Sequence, residues 1–459
     1  MTQNSITGSV VGQDTICALA TPAGGAIGVI RVSGPKAWQT VSKVFSKDLT
    51  TAKPNTLHYG EVHDAQGRTV DDVIVSLWKA PHSYTGEDAA ELSCHGSAIV
   101  LSHVLNVLIQ AGCRQAQPGE YTMRAYLNGK MDLSQAEAVA DIISASNEAS
   151  YRIALNQMKG AVHSKLQVLR DKLLKMTSLL ELELDFSDHE DLEFADRTQL
   201  KQLAHDIDAQ VQELAASFKT GQALKNGIPV AIVGKTNVGK STLLNQLLGE
   251  QRALVSDIHG TTRDAIEDTI NIKGVTFRLI DTAGLRRTND RVEQMGITKS
   301  YDKMQHASII LWVIDQQPSL EDFAKMHAAA GKAHIILVVN KQDIQSMEVK
   351  APHGMILVPV SALRGINMDR LRETIYTEAQ LPDISEHSVI VTSARHYQCL
   401  VSAHHNLTLV ENALQDELSG DLTAEFLRAV LADLAAITGE EITPQDTLNE
   451  IFSHFCVGK

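Results

Sequence analysis

Gly234-Lys235-Thr236-Asn237-Val238-Gly239-Lys240-Ser241 has the form G-x-x-x-x-G-K-[ST], with apolar residues before it and helix-forming residues after it. In that setting the glycines let backbone N–H groups wrap a string of phosphates, and a helix N-terminus adds positive potential. Lys240 is placed to reach the outer phosphates, and the Ser241 hydroxyl to ligate Mg²⁺. One such turn can arise by chance, but further motifs follow in order. Gly260-Thr261-Thr262-Arg263-Asp264 offers Thr262 as a second Mg²⁺ ligand. Asp281-Thr282-Ala283-Gly284 offers a carboxylate to hold Mg²⁺ through water and a Gly284 amide to sense a terminal phosphate. In Asn340-Lys341-Gln342-Asp343, the Asp343 carboxylate can accept from the N1 and N2 donors of guanine, a pair that adenine lacks. Ser361-Ala362-Leu363 would close the base site. The chemistry expected is hydrolysis of GTP.

These residues must be carried by a particular arrangement of elements. Between Pro229 and Leu381 short β-branched runs alternate with helical stretches: residues 230–233, 277–280, 309–314, 335–339 and 356–360. That pattern predicts a doubly wound, mostly parallel sheet with helices on both faces, and each motif sits at the end of one of its strands. Residues 1–128 read as α+β, with strands at 26–32 and 70–78 and a helix from Ala98 to Gly112. Apolar residues recur at helical spacing from Ala136 to Ile153 and from Leu166 to Leu182, and again after Asp383. The chain is therefore expected to be multidomain, α/β and α: an N-terminal α+β domain (1–128), a helical domain in two segments (129–226 and 384–459), and a nucleotide domain (227–383) inserted between them. The acidic segment 185–191 is a candidate metal site, though a solvated loop or helix start is the simpler reading.

The bulk properties agree with a globular enzyme. The chain has 459 residues, 44% hydrophobic and 21% charged. No apolar run approaches the ~18 residues that span a bilayer, and residues 1–5 do not start a signal peptide, so a cytoplasmic protein without a membrane partner is expected. Cys17, Cys94, Cys113, Cys399 and Cys456 are too scattered for a disulfide framework or a zinc site. The net charge of −14 argues against a large non-specific nucleic-acid surface but leaves RNA open as a partner.

The N-K-x-D motif resembles the guanine-specifying motif of GTPases, and the G-T-T-R-D form resembles the Era- and EngA-like group rather than Ras. Leu285 stands where Ras-like enzymes place the water-orienting glutamine. Three further stretches narrow the resemblance: residues 14–22 leading into Ile30-Arg31-Val32-Ser33-Gly34, residues 83–88 leading into Glu91 and His95-Gly96, and the closing Phe455-Cys456-Val457-Gly458-Lys459. With the inserted nucleotide domain, they resemble the MnmE (TrmE) family of tRNA modification GTPases over essentially the whole chain. The resemblance implies a folate-binding N-terminal domain through which the protein forms a homodimer, and an inserted Ras-like P-loop GTPase domain. It implies a heterotetramer with the flavoprotein MnmG (GidA), and a tRNA substrate that receives a carboxymethylaminomethyl or aminomethyl group at C5 of the wobble uridine. The cofactors implied are Mg²⁺, K⁺ and 5-formyl- or methylene-tetrahydrofolate.

The same resemblance assigns residues. GTP would be contacted by Asn237, Val238, Gly239, Lys240, Ser241 and Thr242, by Ser256, Asp257, Ile258, His259, Gly260, Thr261 and Thr262, by Asp281, Thr282, Ala283 and Gly284, and by Asn340, Lys341, Asp343, Ser361, Ala362 and Leu363. K⁺ would be held by Asn237, Thr261 and the carbonyls of Ser256 and Ile258, doing the electrostatic work of an arginine finger. Glu293 would position the attacking water. Arg31, Glu91, Lys130 and Lys459 would contact folate; without the resemblance each reads as a solvated charge. Cys456 is a candidate thiol or a small packed side chain. The turn Thr21-Pro22-Ala23-Gly24-Gly25-Ala26 is one residue shorter than the family's common form and lacks its arginine. Two rival readings are an Era- or EngA-like ribosome-assembly GTPase and a dimeric scaffold that uses GTP only as a stabilising ligand.

Overall fold

The computed structural model describes residues 14–185, 197–249, 268–280 and 304–440, except 346, 353–354 and 383–387; near the C-terminus it describes 448, 451–453, 455, 456 and 458. The chain forms two compact units, one of residues 1–140, 158–170 and 431–459, the other of residues 141–157 and 171–430.

In the first unit the strands are β1 (Ile16–Leu19), β2 (Ile27–Ser33), β3 (Leu57–His63), β4 (Thr69–Trp78), β5 (Ala89–His95) and β6 (Arg114–Gln115), in sheet order β3-β4-β5-β2-β1-β6. All neighbours are antiparallel except β1 and β6. Alternation assigns the two faces. Val73, Val75 and Leu77 of β4 and Ile30 and Val32 of β2 are buried in one core with residues of α1 (Ala37–Ser42) and α2 (Ala98–Ala111). The other face carries Ile27, Leu57, Tyr59 and Ile74, all exposed. Helix α2 ends as the sequence predicts, at Gly112, whose φ of 119° gives the left-handed cap that favours glycine. Next comes α3 (Glu120–Leu127), followed by the start of α4 (Leu133–Ser144).

The second unit contains α5 (Glu148–Met158), the later part of α6 (Ala161–Asp185), and α7 (Arg197–Asn226). Asn147 divides the apolar repeat 136–153 into α4 and α5: its Oδ1 accepts from the Ser150 amide at 2.7 Å and caps α5. Helix α7 leads through Gly227 into a six-stranded sheet. Its strands are β7 (Ile228–Val233), β8 (Asp268–Ile272), β9 (Val275–Leu279), β10 (Ile309–Ile314), β11 (His334–Val339) and β12 (Ile356–Pro359), in order β12-β11-β10-β7-β9-β8. Only the β8–β9 pair is antiparallel.

The buried strands of this sheet sort their residues by parity. Val230, Ile232, Leu311 and Val338 join one core with α8 (Lys240–Leu248) and α10 (Met368–Glu378). Ala231, Val233, Trp312 and Leu337 join another with Phe323 of α9 (Leu320–Ala330). A parallel strand apolar on both faces is therefore covered twice, as the continuous β-branched runs predict. After the sheet, α11 (Ala394–Gln415) returns to pack along α7, with Phe218 and Tyr397 stacked at 4.6 Å, and α12 (Gly420–Thr438) follows.

Candidate functional site

The phosphate loop leaves β7 at Gly234 and enters α8 at Lys240, the strand–loop–helix context that the motif requires. Gly234 has φ 151°, and a Cβ there would lie 2.2 Å from the Val313 carbonyl oxygen, so the loop presses against β10. Asn237 adopts φ 61° and Gly239 φ 96°. These left-handed residues turn successive amides inward, as an anion-binding concavity needs. The Lys240 ammonium lies across the loop, donating to the carbonyls of Gly234 at 2.8 Å and Lys235 at 2.5 Å. Ser241 is in the first turn of α8, and its hydroxyl is an oxygen ligand of the kind that Mg²⁺ takes.

The segments expected to bind the base are joined to this loop by Asn340, which is 5% exposed. Its Nδ2 donates to the Val238 carbonyl at 2.8 Å, and its Oδ1 accepts from the Ala362 amide at 3.0 Å. One carboxamide thus links the phosphate loop, the end of β11 and the loop after β12. Asp343 Oδ1 accepts from the Ser361 hydroxyl at 2.6 Å, which leaves its second oxygen for a donor edge. The Lys341 ammonium donates to Asp315 at 2.6 Å, and Lys341 itself has φ 65°. Leu363 is 71% exposed beside Ala362. Thus the structure gathers residues 237–242, 340–343 and 361–363 at the C-terminal ends of parallel strands, where open α/β sheets bind ligands. Ser256 to Thr262, Asp281 to Gly284, and Glu293 lie outside the described residues, as does the acidic segment from Phe186 to Asp191.

A second pocket, about 220 Å³, lies in the first unit and is lined by residues that include Arg31, Ser33, Trp78, Tyr84 and Glu91. Arg31 and Glu91 face each other across β2 and β5, and the guanidinium Nε donates to Glu91 at 2.8 Å. The Arg31 guanidinium also lies 5.4 Å from the Tyr84 ring and 5.6 Å from the Tyr121 ring. Burial raises the Tyr84 pKa, so the phenol stays neutral; it shares a 2.8 Å hydrogen bond with the Thr122 hydroxyl. The C-terminal tail reaches the same place. Arg31 Nη1 donates to the Gly458 carbonyl at 3.3 Å, and a Cβ at Gly458 would lie 2.3 Å from the Leu19 carbonyl oxygen. Lys130 flanks the loop that carries Tyr84, donating to the Pro81 carbonyl at 3.0 Å. Of the four proposed folate residues, Arg31 and Glu91 are in contact, Lys130 borders the neighbouring loop, and Lys459 is outside the described residues. Cys456 is exposed, and its carbonyl accepts from the Gly119 amide at 3.3 Å.

Behind this pocket is a charge network that the sequence did not announce. Arg124, 1% exposed, donates to Glu87, to Glu120 at 2.9 Å and to Asp14 at 2.5 Å. Glu87 in turn accepts from the Ser33 hydroxyl at 2.7 Å. Burial alone would raise the Glu120 pKa, but its hydrogen bonds to Arg114, the Gln117 amide and Arg124 outweigh it and hold the carboxyl below 4.5. The signal in the sequence is that Arg124 is the one charged residue in Tyr121-Thr122-Met123-Arg124-Ala125-Tyr126-Leu127.

Comparison with known proteins bears on both sites together. The model for the GTP-binding protein TrmE N-terminus matches residues 15–130, and the model for the MnmE helical domain matches residues 133–456. The tRNA modification GTPase MnmE of Phocaeicola vulgatus is 47% identical, over 98% of this chain and 100% of its own length. Those of Bacteroides fragilis and Flavobacterium johnsoniae are 47% and 44% identical, over 97% and 98% of this chain and the full length of each relative. The chain belongs to the MnmE family of tRNA modification GTPases. Its phosphate loop and Asn340-Lys341-Gln342-Asp343 are thus those of a GTPase of the MnmE family, and its N-terminal α+β unit, with the Arg31–Glu91 pocket, is a TrmE N-terminus. No helix among the described residues is long and apolar enough to cross a membrane.

Proposed function

We propose that this protein is a potassium-dependent GTP hydrolase that acts with the flavoprotein MnmG to add a carboxymethylaminomethyl or aminomethyl group at C5 of the wobble uridine of certain tRNAs. The carbon comes from 5-formyl- or methylene-tetrahydrofolate. What supports the reading is that one chain, 98% of it covered by an MnmE relative, carries both the Asn340 carboxamide that joins Val238 to Ala362 and a pocket with a carboxylate, a guanidinium and an aromatic wall.

In this mechanism the loop amides, Lys240 and Ser241 hold the phosphates and Mg²⁺, with Thr262 as the second protein ligand. Asp343 selects guanine. Leu285 cannot orient water, so Glu293 takes that task. Asn237, Thr261 and the carbonyls of Ser256 and Ile258 would hold K⁺, which would supply positive charge to the hydrolysis. In the other pocket the Glu91 carboxylate suits the donor edge of a pterin, Tyr84 offers a ring face, and Arg31, Lys130 and Lys459 suit a glutamate tail. The exposed Ile27, Leu57, Tyr59 and Ile74 on the sheet of the first unit support a homodimer through that domain. The acidic chain leaves the phosphate contacts to tRNA to local basic groups or to the partner protein.

Steady-state GTP hydrolysis in KCl and in NaCl at equal ionic strength tests the hydrolytic part, using wild type and Glu293→Ala. The expected result is stimulation by KCl of at least about tenfold that disappears in the variant, while GTP binding stays. Equal rates in the two salts would remove potassium from the mechanism.

A further inference from the structure

Ribbon β8–β9 has an unusual position in the chain. Its first residue, Asp268, follows Thr262 by six positions, and its last, Leu279, precedes Asp281 by two. Both strands therefore continue directly from segments whose residues are expected to read Mg²⁺ and the terminal phosphate. The far end of the ribbon, the turn at Lys273 and Gly274, meets the helical part of the same unit.

That meeting is built from specific groups. The Ala149 amide, in the first turn of α5, donates to the Gly274 carbonyl at 3.0 Å. Asn147 is 8% exposed, and its carboxamide is fully used. Its Nδ2 donates to Thr276 Oγ1 on β9 at 3.1 Å and to the Leu224 carbonyl near the end of α7 at 3.2 Å, while its Oδ1 caps α5 through Ser150. One side chain therefore ties three elements to a single point. Gly274 has φ 79°, and a Cβ there would lie 2.9 Å from Glu148 Cβ, so the turn sits flush against α5. Ala149, Ile153 and Leu224 belong to the same buried cluster as Ile270, Ile272 and Phe277. On its own side, the turn is anchored by Lys273, which donates to Glu373 at 2.6 Å and lies 5.0 Å from the Tyr376 ring.

We propose that the β8–β9 ribbon is a push-rod that carries the nucleotide state to helices α5 and α7, and that Asn147 is the positioning residue at which it engages them. Strands β8 and β9 are paired along five registers, and β9 is also paired with β7 along three, so the ribbon shifts together with this edge of the sheet. Displacement at its nucleotide end therefore reaches Asn147 rather than being absorbed in the loop at Gly227. A cleft of about 370 Å³ beside the contact, lined by Arg152, Lys273 and Tyr376 among others, gives the turn room to shift.

Amide hydrogen exchange of the full-length protein tests this, comparing residues 147–157 in GDP and in a non-hydrolysable GTP analogue. Wild type is expected to show a nucleotide-dependent change in α5 exchange of at least about fivefold. Thr276→Val keeps the shape of β9 but removes the acceptor for Asn147; it should bind both nucleotides as wild type does and lose the α5 response. Asn147→Ser keeps a cap for α5 but is too short to reach Thr276, and should lose it as well. Lys273→Ala, which touches only the ribbon's own domain, should keep it. No α5 response in wild type, or a full response in both Thr276→Val and Asn147→Ser, overturns the proposal.

Discussion

Asp343 shows how much one carboxylate decides. One of its oxygens accepts from the Ser361 hydroxyl at 2.6 Å, which restrains the carboxylate. On the proposed reading, Asp343 would accept two charge-assisted bonds from guanine, each worth about 1.5–3 kcal/mol, and these would separate GTP from ATP. Asp343→Asn replaces one acceptor by a donor. GTP affinity should fall at least tenfold while affinity for xanthosine triphosphate, which offers a carbonyl at that edge, should rise. Titration with fluorescent analogues of both nucleotides checks this, and unchanged preference would remove Asp343 from the base site. Residue types and spacing single out Asp343, Lys240 and Ser241 in the sequence, and the structure places them just after β11 and β7. The role of Asn340 was legible only as part of a motif. That its carboxamide ties Val238 to Ala362 depends on three chain segments meeting, which spacing along one chain does not encode.

At the scale of elements, strands β10 and β11 were readable to within a residue because each is apolar on both faces and bounded by polar turns. The boundary between α4 and α5 was not, since the apolar repeat runs through it and only Asn147, satisfied by Ser150, Thr276 and Leu224, shows why the helix restarts there. The buried network around α3 was equally hidden, because its carboxylates come from three separate segments. Arg124→Met fills the same space but leaves Glu87 buried without its cation and Glu120 with Arg114 alone, at a cost of about 3–5 kcal/mol to the first unit, measured by urea denaturation. The pH dependence follows from Glu120, whose folded pKa lies below 4.5. Stability linked to it is full above the unfolded value and is lost as pH falls below about 4.5 toward the folded one. Wild type should therefore lose stability on acidification through that window, and Glu120→Gln should flatten this part of the profile. A wild-type profile that does not fall there would contradict the network's role.

At the scale of the molecule, the two-segment helical organisation was inferred from similar composition on either side of the nucleotide domain. In the structure α7 and α11 pack along each other. The family match over residues 15–130 and 133–456 favours tRNA modification over the ribosome-assembly alternative. The open sheet face was not legible, because Leu57, Tyr59 and Ile74 read as ordinary strand residues until the sheet order put them together. Tyr59→Glu with Ile74→Glu should turn the proposed wild-type dimer into a monomer in sedimentation while the chain stays folded; an unchanged dimer would place the interface elsewhere, and a monomeric wild type would remove the dimer from the account.

The most direct test of the whole account is formation of the C5-modified wobble nucleoside, read by mass spectrometry from unmodified tRNA incubated with this protein, MnmG, a tetrahydrofolate donor and GTP. The account predicts product with GTP in KCl, and little in NaCl or with a non-hydrolysable analogue. Equal product under all three conditions would contradict it, because modification would then proceed without the hydrolysis that the nucleotide site is proposed to perform.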